Sequence, residues 1–123
     1  MDLSVFENMD KDQLQDYLTF LLWHYRVMDA FWFLYVGDAY GQEQAERINE
    51  KVWSRVPELG ASDLLQRFGI KERGLKGFTQ VLKLFPWTIL VEYQFEEKED
   101  EVLVTVPHCP TQEARLRRGL GEF

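Results

Sequence analysis

The alternation of apolar and polar residues predicts that the first part of the chain is helical. Asp10 or Asp12 can cap a helix over residues 11–40, and apolar residues in its first turns share one face: Leu14, Tyr17, Leu18, Leu21 and Leu22. Beyond Trp23 the apolar residues surround the helix axis. We therefore expect this helix to lie at the centre of the fold and to be covered on most sides.

Three shorter helices are predicted next, over residues 42–56, 61–68 and 75–85. Gly37 or Gly41 should end or bend the first helix, because glycine is costly inside a helix and favoured just past its end. Pro57 should close the second helix and Gly69 the third, and Pro86 should stop the fourth.

The hydrophobic period then changes from that of a helix to that of a strand. Apolar residues alternate with mostly polar ones from Trp87 to Phe95 and again from Val102 to Val106, which predicts an antiparallel hairpin over residues 87–106 with a charged tip. Pro110 opens a last helix over residues 110–118. The predicted fold class is therefore α+β, with a helical N-terminal two-thirds packed on the hairpin and a short C-terminal helix.

Composition and charge restrict the class of protein. A length of 123 residues with 46% hydrophobic residues fits a single domain over residues 1–123. The net charge of −7 argues against a nucleic-acid or anionic-membrane partner, which would need a positive surface. The apolar run over residues 17–36 contains His24, Arg26 and Asp29, and charges at that depth of a bilayer are costly. We expect a helix in a soluble protein and no membrane partner.

Cysteine usage and the N-terminal sequence favour a cytoplasmic location. Cys109 is the single cysteine, so no intramolecular disulfide can form, and the first residues lack the basic segment of a secretory signal.

The same cysteine is the first candidate for chemistry. Cys109 lies between a strand end and a helix that begins with proline, where the helix dipole favours a thiolate. It could act as a nucleophile or, with His108, as a ligand of a divalent metal. The competing interpretation is a small buried apolar residue. Arg115 follows in the same helix, where it either binds an anionic ligand or forms part of a solvated face.

A second group of candidates lies on the long helix. Asp29 is an acid in the most apolar part of the chain, so it needs a partner, either Arg26 in an ion pair or a functional role as a carboxylate. Asp38, Glu46 and Asn49 could join it as oxygen ligands of a hard cation. Aromatic side chains are also concentrated here, and they form either a bulky core or an apolar ligand pocket around Trp23, Phe31, Trp32 and Trp53.

Two segments resemble a known group of proteins. The segment His108-Cys109-Pro110-Thr111-Gln112-Glu113-Ala114-Arg115, followed by Gly119-Leu120-Gly121-Glu122-Phe123, resembles a motif of an uncharacterised prokaryotic family of unknown function. It is similar to the L-2-amino-thiazoline-4-carboxylic acid hydrolase-like proteins, and more distantly to the 4-vinyl-reductase-type ligand-binding domains. The run from Asp29 to Leu34 is similar to the helical half of that family.

The resemblance implies specific roles. It implies a small-molecule hydrolase in which Cys109 is nucleophile or metal ligand, Glu122 is an acid/base group or second ligand, and Asp29 is an orienting carboxylate. Such proteins continue with further sheet, so it also leads us to expect that the domain is truncated at Phe123.

The alternative hypothesis is a non-catalytic module that holds a small apolar ligand in the aromatic pocket, or that forms a homodimer through a strand edge or the long helix.

Overall fold

The computed structural model describes residues 1–119 and residue 121, and it confirms the α+β class, with five α-helices and one antiparallel hairpin among those residues. By its internal contacts the chain divides into two compact units, Met1–Ala45 and Glu46–Phe123. The expectation of a single domain over residues 1–123 stays a prediction.

The first unit contains a short 3-10 turn, Ser4–Phe6, and the long helix α1, Lys11–Tyr40. The Asp10 carboxylate accepts a hydrogen bond from the Gln13 backbone N–H at 2.9 Å, and the Gln13 side chain accepts one from the Asp10 N–H at 3.0 Å. This capping box pairs amide groups that a helix start otherwise leaves without partners. Gly41, with φ 89°, ends the helix in a conformation that other residues rarely adopt.

The surface of α1 differs from the prediction. None of its 30 residues is buried, so the expectation of a central helix covered on most sides was wrong. Its aromatic rings contact their neighbours along the helix instead, as in the pairs Phe20–Trp23 and Phe31–Tyr35, whose ring centres lie 6.2 and 5.6 Å apart. Among the described residues, no helix is long and apolar enough to cross a membrane.

The second helix, α2, is one continuous element, Gln42–Arg67, where two helices over 42–56 and 61–68 were expected. Pro57 lies inside it, although proline costs about 3 kcal/mol in a helix interior. Trp53, Pro57 and Ala61 lie four residues apart on one side of α2 and contribute to the same cavity wall. This packing, which a local prediction does not include, offsets the lost hydrogen bond. Gly69, with φ 60°, follows the helix end as predicted.

Helix α3, Gly74–Leu84, begins one residue before the expected segment and has a close backbone approach near its start. A Cβ atom on Gly77 would lie 2.2 Å from the carbonyl oxygen of Glu72. Glycine is therefore required at position 77 by space. The helix buries Gly77, Thr79 and Val81.

The segment after α3 corrects the predicted hairpin. Residues expected to start the first strand form the short helix α4, Pro86–Leu90, with proline at its first turn. The strands are shorter, with β1 at Gln94–Glu97 and β2 at Val102–Thr105. The alternation runs from Trp87 to Phe95, but proline at the first helical position favoured a helical turn over the first part of this run.

The antiparallel hairpin contacts the end of α3. Phe95 pairs with Val104 and Glu97 with Val102, which places these four residues on one face. The Lys83 ammonium lies 5.3 Å from the centre of the Phe95 ring and forms an ion pair with Glu97. Helix α5, Pro110–Arg117, follows β2, and Cys109 occupies its N-cap position.

Candidate ligand-binding site

A cavity of about 340 Å³ lies within the second unit, between α2, α3 and α4. Its volume falls in the range of about 300–1,000 Å³ that is typical of small-molecule sites. Its walls are formed by Trp53, Pro57, Ala61, Phe78, Val81, Leu82, Phe85, Trp87, Thr88 and Tyr93.

Each wall is placed by a simple feature of its element. Phe78, Val81, Leu82 and Phe85 follow the spacing of one helix face along α3 and its C-cap. Gly60 of α2 lets the Phe85 ring approach closely, since a Cβ atom there would lie 3.2 Å from it. Small residues on α2 thus face large aromatic residues, and this arrangement leaves space between the helices.

Two tryptophans form one end of the cavity wall. The rings of Trp53 and Trp87 lie 5.7 Å apart between centres, at an angle of 53°. Such a tilted pair is a favourable aromatic geometry. Phe78 also lines the cavity while remaining 61% exposed, so the cavity is open to solvent on that side.

The polar groups of the side chains that line the cavity are the hydroxyls of Thr88 and Tyr93 and the indole N–H groups of Trp53 and Trp87. Burial raises the pKa of the Tyr93 hydroxyl, and the charge that Cys109 can carry raises it further. Tyr93 therefore stays protonated at neutral pH and can donate one hydrogen bond. The lining suits a neutral, mainly apolar molecule.

The aromatic residues predicted as a ligand pocket have different environments. Trp53 lines the cavity described above. Trp23 and Phe31 are about half exposed on α1, and Trp32 donates a hydrogen bond from its indole nitrogen to Asp29 at 3.2 Å. These three belong to the first unit.

Asp29 pairs with Trp32 rather than with Arg26, the partner that its spacing suggested. Burial raises the pKa of the Asp29 carboxyl above its ordinary value, and the hydrogen bond from Trp32 partly opposes this effect. The charged form of Asp29 is therefore disfavoured where it lies.

Cys109 is partly exposed at the start of α5, and its side chain makes no capping hydrogen bond. The neighbouring His108 pairs with Glu113 instead, with Nδ1 and Oε1 2.7 Å apart. Among the described residues, no group of three His, Cys, Asp or Glu side chains is arranged to hold a metal ion. Glu122, the predicted acid/base partner of Cys109, lies outside the described residues.

Arg115 has a different environment from the solvated face considered for it. It is only 5% exposed, and its guanidinium donates to the Glu46 carboxylate at 3.0 Å and to the Gly121 carbonyl at 3.4 Å. The pair joins α5 to the part of α2 that begins the second unit. Glu46, which was considered as a cation ligand, is thus engaged with Arg115.

Most cavity residues were missed by the sequence prediction. Residues 75–85 were predicted as a helix, and the spacing of Phe78, Val81, Leu82 and Phe85 on one face of it is equally typical of a packed core. Trp87 was assigned to a strand, and Pro57 to a helix end. The signal that could have located the site is the cluster of small residues at Gly60 and Ala61, opposite those rings.

The sequence was compared with models of known protein families. A family model matches residues 7–123. The chain belongs to DUF6125, a family of unknown function. The expected membership of an uncharacterised family is thus confirmed. No curated protein and no solved structure matches this DUF6125 chain.

Proposed function

We propose that this DUF6125 protein is a non-catalytic module that binds a small apolar molecule in the cavity between α2, α3 and α4. The observation that carries the proposal is the cavity itself, with its size of about 340 Å³ and its aromatic lining. Pockets of this size with few polar groups gain affinity mainly from apolar burial.

The lining also defines the class of ligand. No wall residue is ionised at neutral pH, because the walls consist of apolar side chains, two hydroxyls and the indole groups of two tryptophans. A charged ligand would lose its hydration without a compensating partner there. The preferred ligand is a neutral aromatic or aliphatic molecule with one acceptor for the Tyr93 hydroxyl.

Binding is tested with 1-aminoanthracene, a neutral apolar fluorescent probe. We expect one probe per chain, quenching of Trp53 and Trp87 emission, and competition by naphthalene. The Ala61→Phe variant, which fills the cavity from α2, should weaken probe binding at least about tenfold, which corresponds to about 1.4 kcal/mol.

The matched control is Ser62→Phe, which adds the same ring at the adjacent, exposed position outside the cavity wall. It should leave probe affinity unchanged, and circular dichroism of both variants should match the parent protein. Equal probe affinity in the Ala61→Phe and parent proteins would contradict the proposal.

A second candidate function, a hydrolase-like enzyme using Cys109, is favoured by one observation. Cys109 is partly exposed at the start of α5, where a small molecule can reach its thiol. The resemblance of the residues around it to the L-2-amino-thiazoline-4-carboxylic acid hydrolase-like proteins supports the same function. A single thiol also supports a reducing, cytoplasmic setting for either function.

The test of this candidate is turnover of L-2-amino-thiazoline-4-carboxylic acid by the parent protein and by Cys109→Ser. An enzyme that uses the thiol loses turnover in this variant. Undiminished turnover in Cys109→Ser would remove the candidate, and probe binding by the same variant should be unaffected if the cavity acts independently.

A further inference from the structure

Helix α1 carries a continuous apolar stripe that the proposed function does not use. Apolar residues recur along it at alternating steps of four and three, the spacing of a coiled-coil seam. The members of this α1 stripe are Leu14, Leu18, Leu21, Tyr25, Met28, Trp32 and Tyr35.

Five of the seven residues of the α1 stripe are exposed, and Tyr25 and Trp32 are partly exposed. Leu18, Met28 and Tyr35 are 58%, 61% and 64% exposed, and no residue of the stripe is buried. Isolated exposed apolar residues are normal, but a contiguous row over three heptads is typical of an interaction surface.

The area of the stripe matches what a stable dimer requires. From the usual surface of large apolar side chains, the stripe and the adjacent Phe31 expose on the order of 700 Å² per copy. A standard interface buries about 800 Å² per partner. A second copy of α1 also has the same spacing by construction, so a two-fold contact keeps every seam position apolar on both sides.

From these observations we infer that the α1 stripe binds the α1 stripe of a second copy of this chain, with the two helices parallel. The flanking positions support the parallel direction. In a parallel pair, the residue just before one seam position lies next to the residue just after the following seam position of the other copy. His24, which precedes Tyr25, therefore lies next to Asp29, which follows Met28, of the second copy. In an antiparallel pair Asp29 would instead face a flanking position of its own kind, and none of these positions carries a basic residue: Gln15, Leu22, Asp29 and Val36.

The first test compares two variants by sedimentation equilibrium. Met28→Glu introduces a charge on the stripe, and Ala30→Glu introduces the same charge on the opposite side of α1, where Ala30 is also exposed. We expect the parent protein and Ala30→Glu to dimerise with dissociation constants within about threefold of each other. Met28→Glu should dimerise at least about a hundredfold more weakly, because the charge would be buried at the contact.

Both substituted side chains are exposed in the single chain, so circular dichroism should show the same helix content in the two variants. A parent protein that is monomeric at high micromolar concentration would overturn the inference. So would a dimer that Met28→Glu leaves intact, because another surface would then form it.

The second test examines the direction of the helices. In a Cys109→Ser background, Leu21→Cys should form a disulfide-linked dimer under mild oxidation, since equivalent seam positions meet in a parallel pair. Ala30→Cys, on the opposite side, should not. A dimer in which Leu21→Cys forms no cross-link would overturn the parallel arrangement.

Discussion

The two compact units differ in how their apolar residues are used. Helix α1 of the first unit is the longest helix of the described chain and is rich in aromatic and aliphatic residues, yet none of its residues is buried. Helix α3 of the second unit is shorter and buries Gly77, Thr79 and Val81. The comparison shows that a helix buries residues when its apolar side chains lie on one face and its backbone can approach a neighbouring segment closely. The number of apolar residues alone does not decide burial.

The sources of stability differ in the same way. In the first unit, α1 depends on local features, namely the capping box at Asp10 and the ring contacts along its surface. In the second unit, distant residues meet, such as Arg115 with Glu46 and Gly60 with Phe85. Substitutions should therefore have local effects in the first unit and tertiary effects in the second.

The largest expected difference concerns two helical glycines. Gly77→Ala should lower the free energy of unfolding by about 2–3 kcal/mol, because the new methyl group would overlap the Glu72 carbonyl. Gly37→Ala should raise it by about 0.5–1 kcal/mol, because its methyl group would meet Ala45 at an ordinary 3.8 Å and alanine favours the helix.

Urea denaturation followed by circular dichroism measures both glycine substitutions. Hydrogen exchange should localise the first effect to α3 and the second to α1. Stabilisation by both substitutions would show that the close approach at Gly77 does not constrain α3.

The next effect tests the buried ion pair. Glu46→Ala should destabilise the second unit by about 2 kcal/mol, because it leaves the buried Arg115 charge without this partner. The loss should be smaller than for a fully buried ion pair, because the Glu46 side chain is half exposed. Arg115→Met should cost less, because Glu46 can then be hydrated. Thermal unfolding of both variants shows which one loses more stability. A larger loss of stability in Arg115→Met than in Glu46→Ala would contradict this account.

A smaller effect is expected at the start of α1. Asp10→Ala removes the acceptor for the Gln13 N–H and should cost about 1 kcal/mol of helix stability. Exchange rates of amides in the first turn of α1 should rise, while those in α3 should not change. Asp12→Ala is the control, since Asp12 lies in the first turn but does not occupy the cap.

The smallest effect is the pH dependence of Asp29. Its pKa is raised on folding by burial, so the folded protein binds more protons than the unfolded one between the ordinary and the raised pKa, and stability falls as pH rises through that window. Asp29→Asn keeps an acceptor for Trp32 and should gain about 0.5 kcal/mol at pH 7.

The gain in Asp29→Asn should shrink as the pH is lowered below the ordinary pKa of aspartate, where the parent carboxyl is neutral in both states. Urea midpoints at neutral and acidic pH provide the measurement. A gain independent of pH would point to packing rather than to charge.

The fold could be predicted where local interactions determine it. Asp10 and Gly41 end α1 through their own backbone and side-chain chemistry, and the charged segment between the strands led correctly to a hairpin. The prediction failed at Pro57, where distant packing decided the structure, and over residues 87–93, where the proline that opens α4 outweighed the alternating pattern.

The candidate site was predicted only in part for the same reason. Trp53 was identified as a pocket residue, but most of its neighbours come from α3, α4 and the residues that follow them, and the meeting of these parts with α2 depends on the small residues Gly60 and Ala61. Arg115 and Glu46 are 69 positions apart, and no local pattern indicates that they pair.

The sequence by itself determined the fold class, the ends of the long helix and the apolar spacing along it, because these depend on interactions between residues a few positions apart. Only the tertiary structure decided that the long aromatic-rich helix has no buried residue, that α2 continues through Pro57, and that a cavity remains beside Trp53 and Trp87. These features depend on the volumes of side chains that meet from distant positions, and that complementarity is established only when the chain has folded.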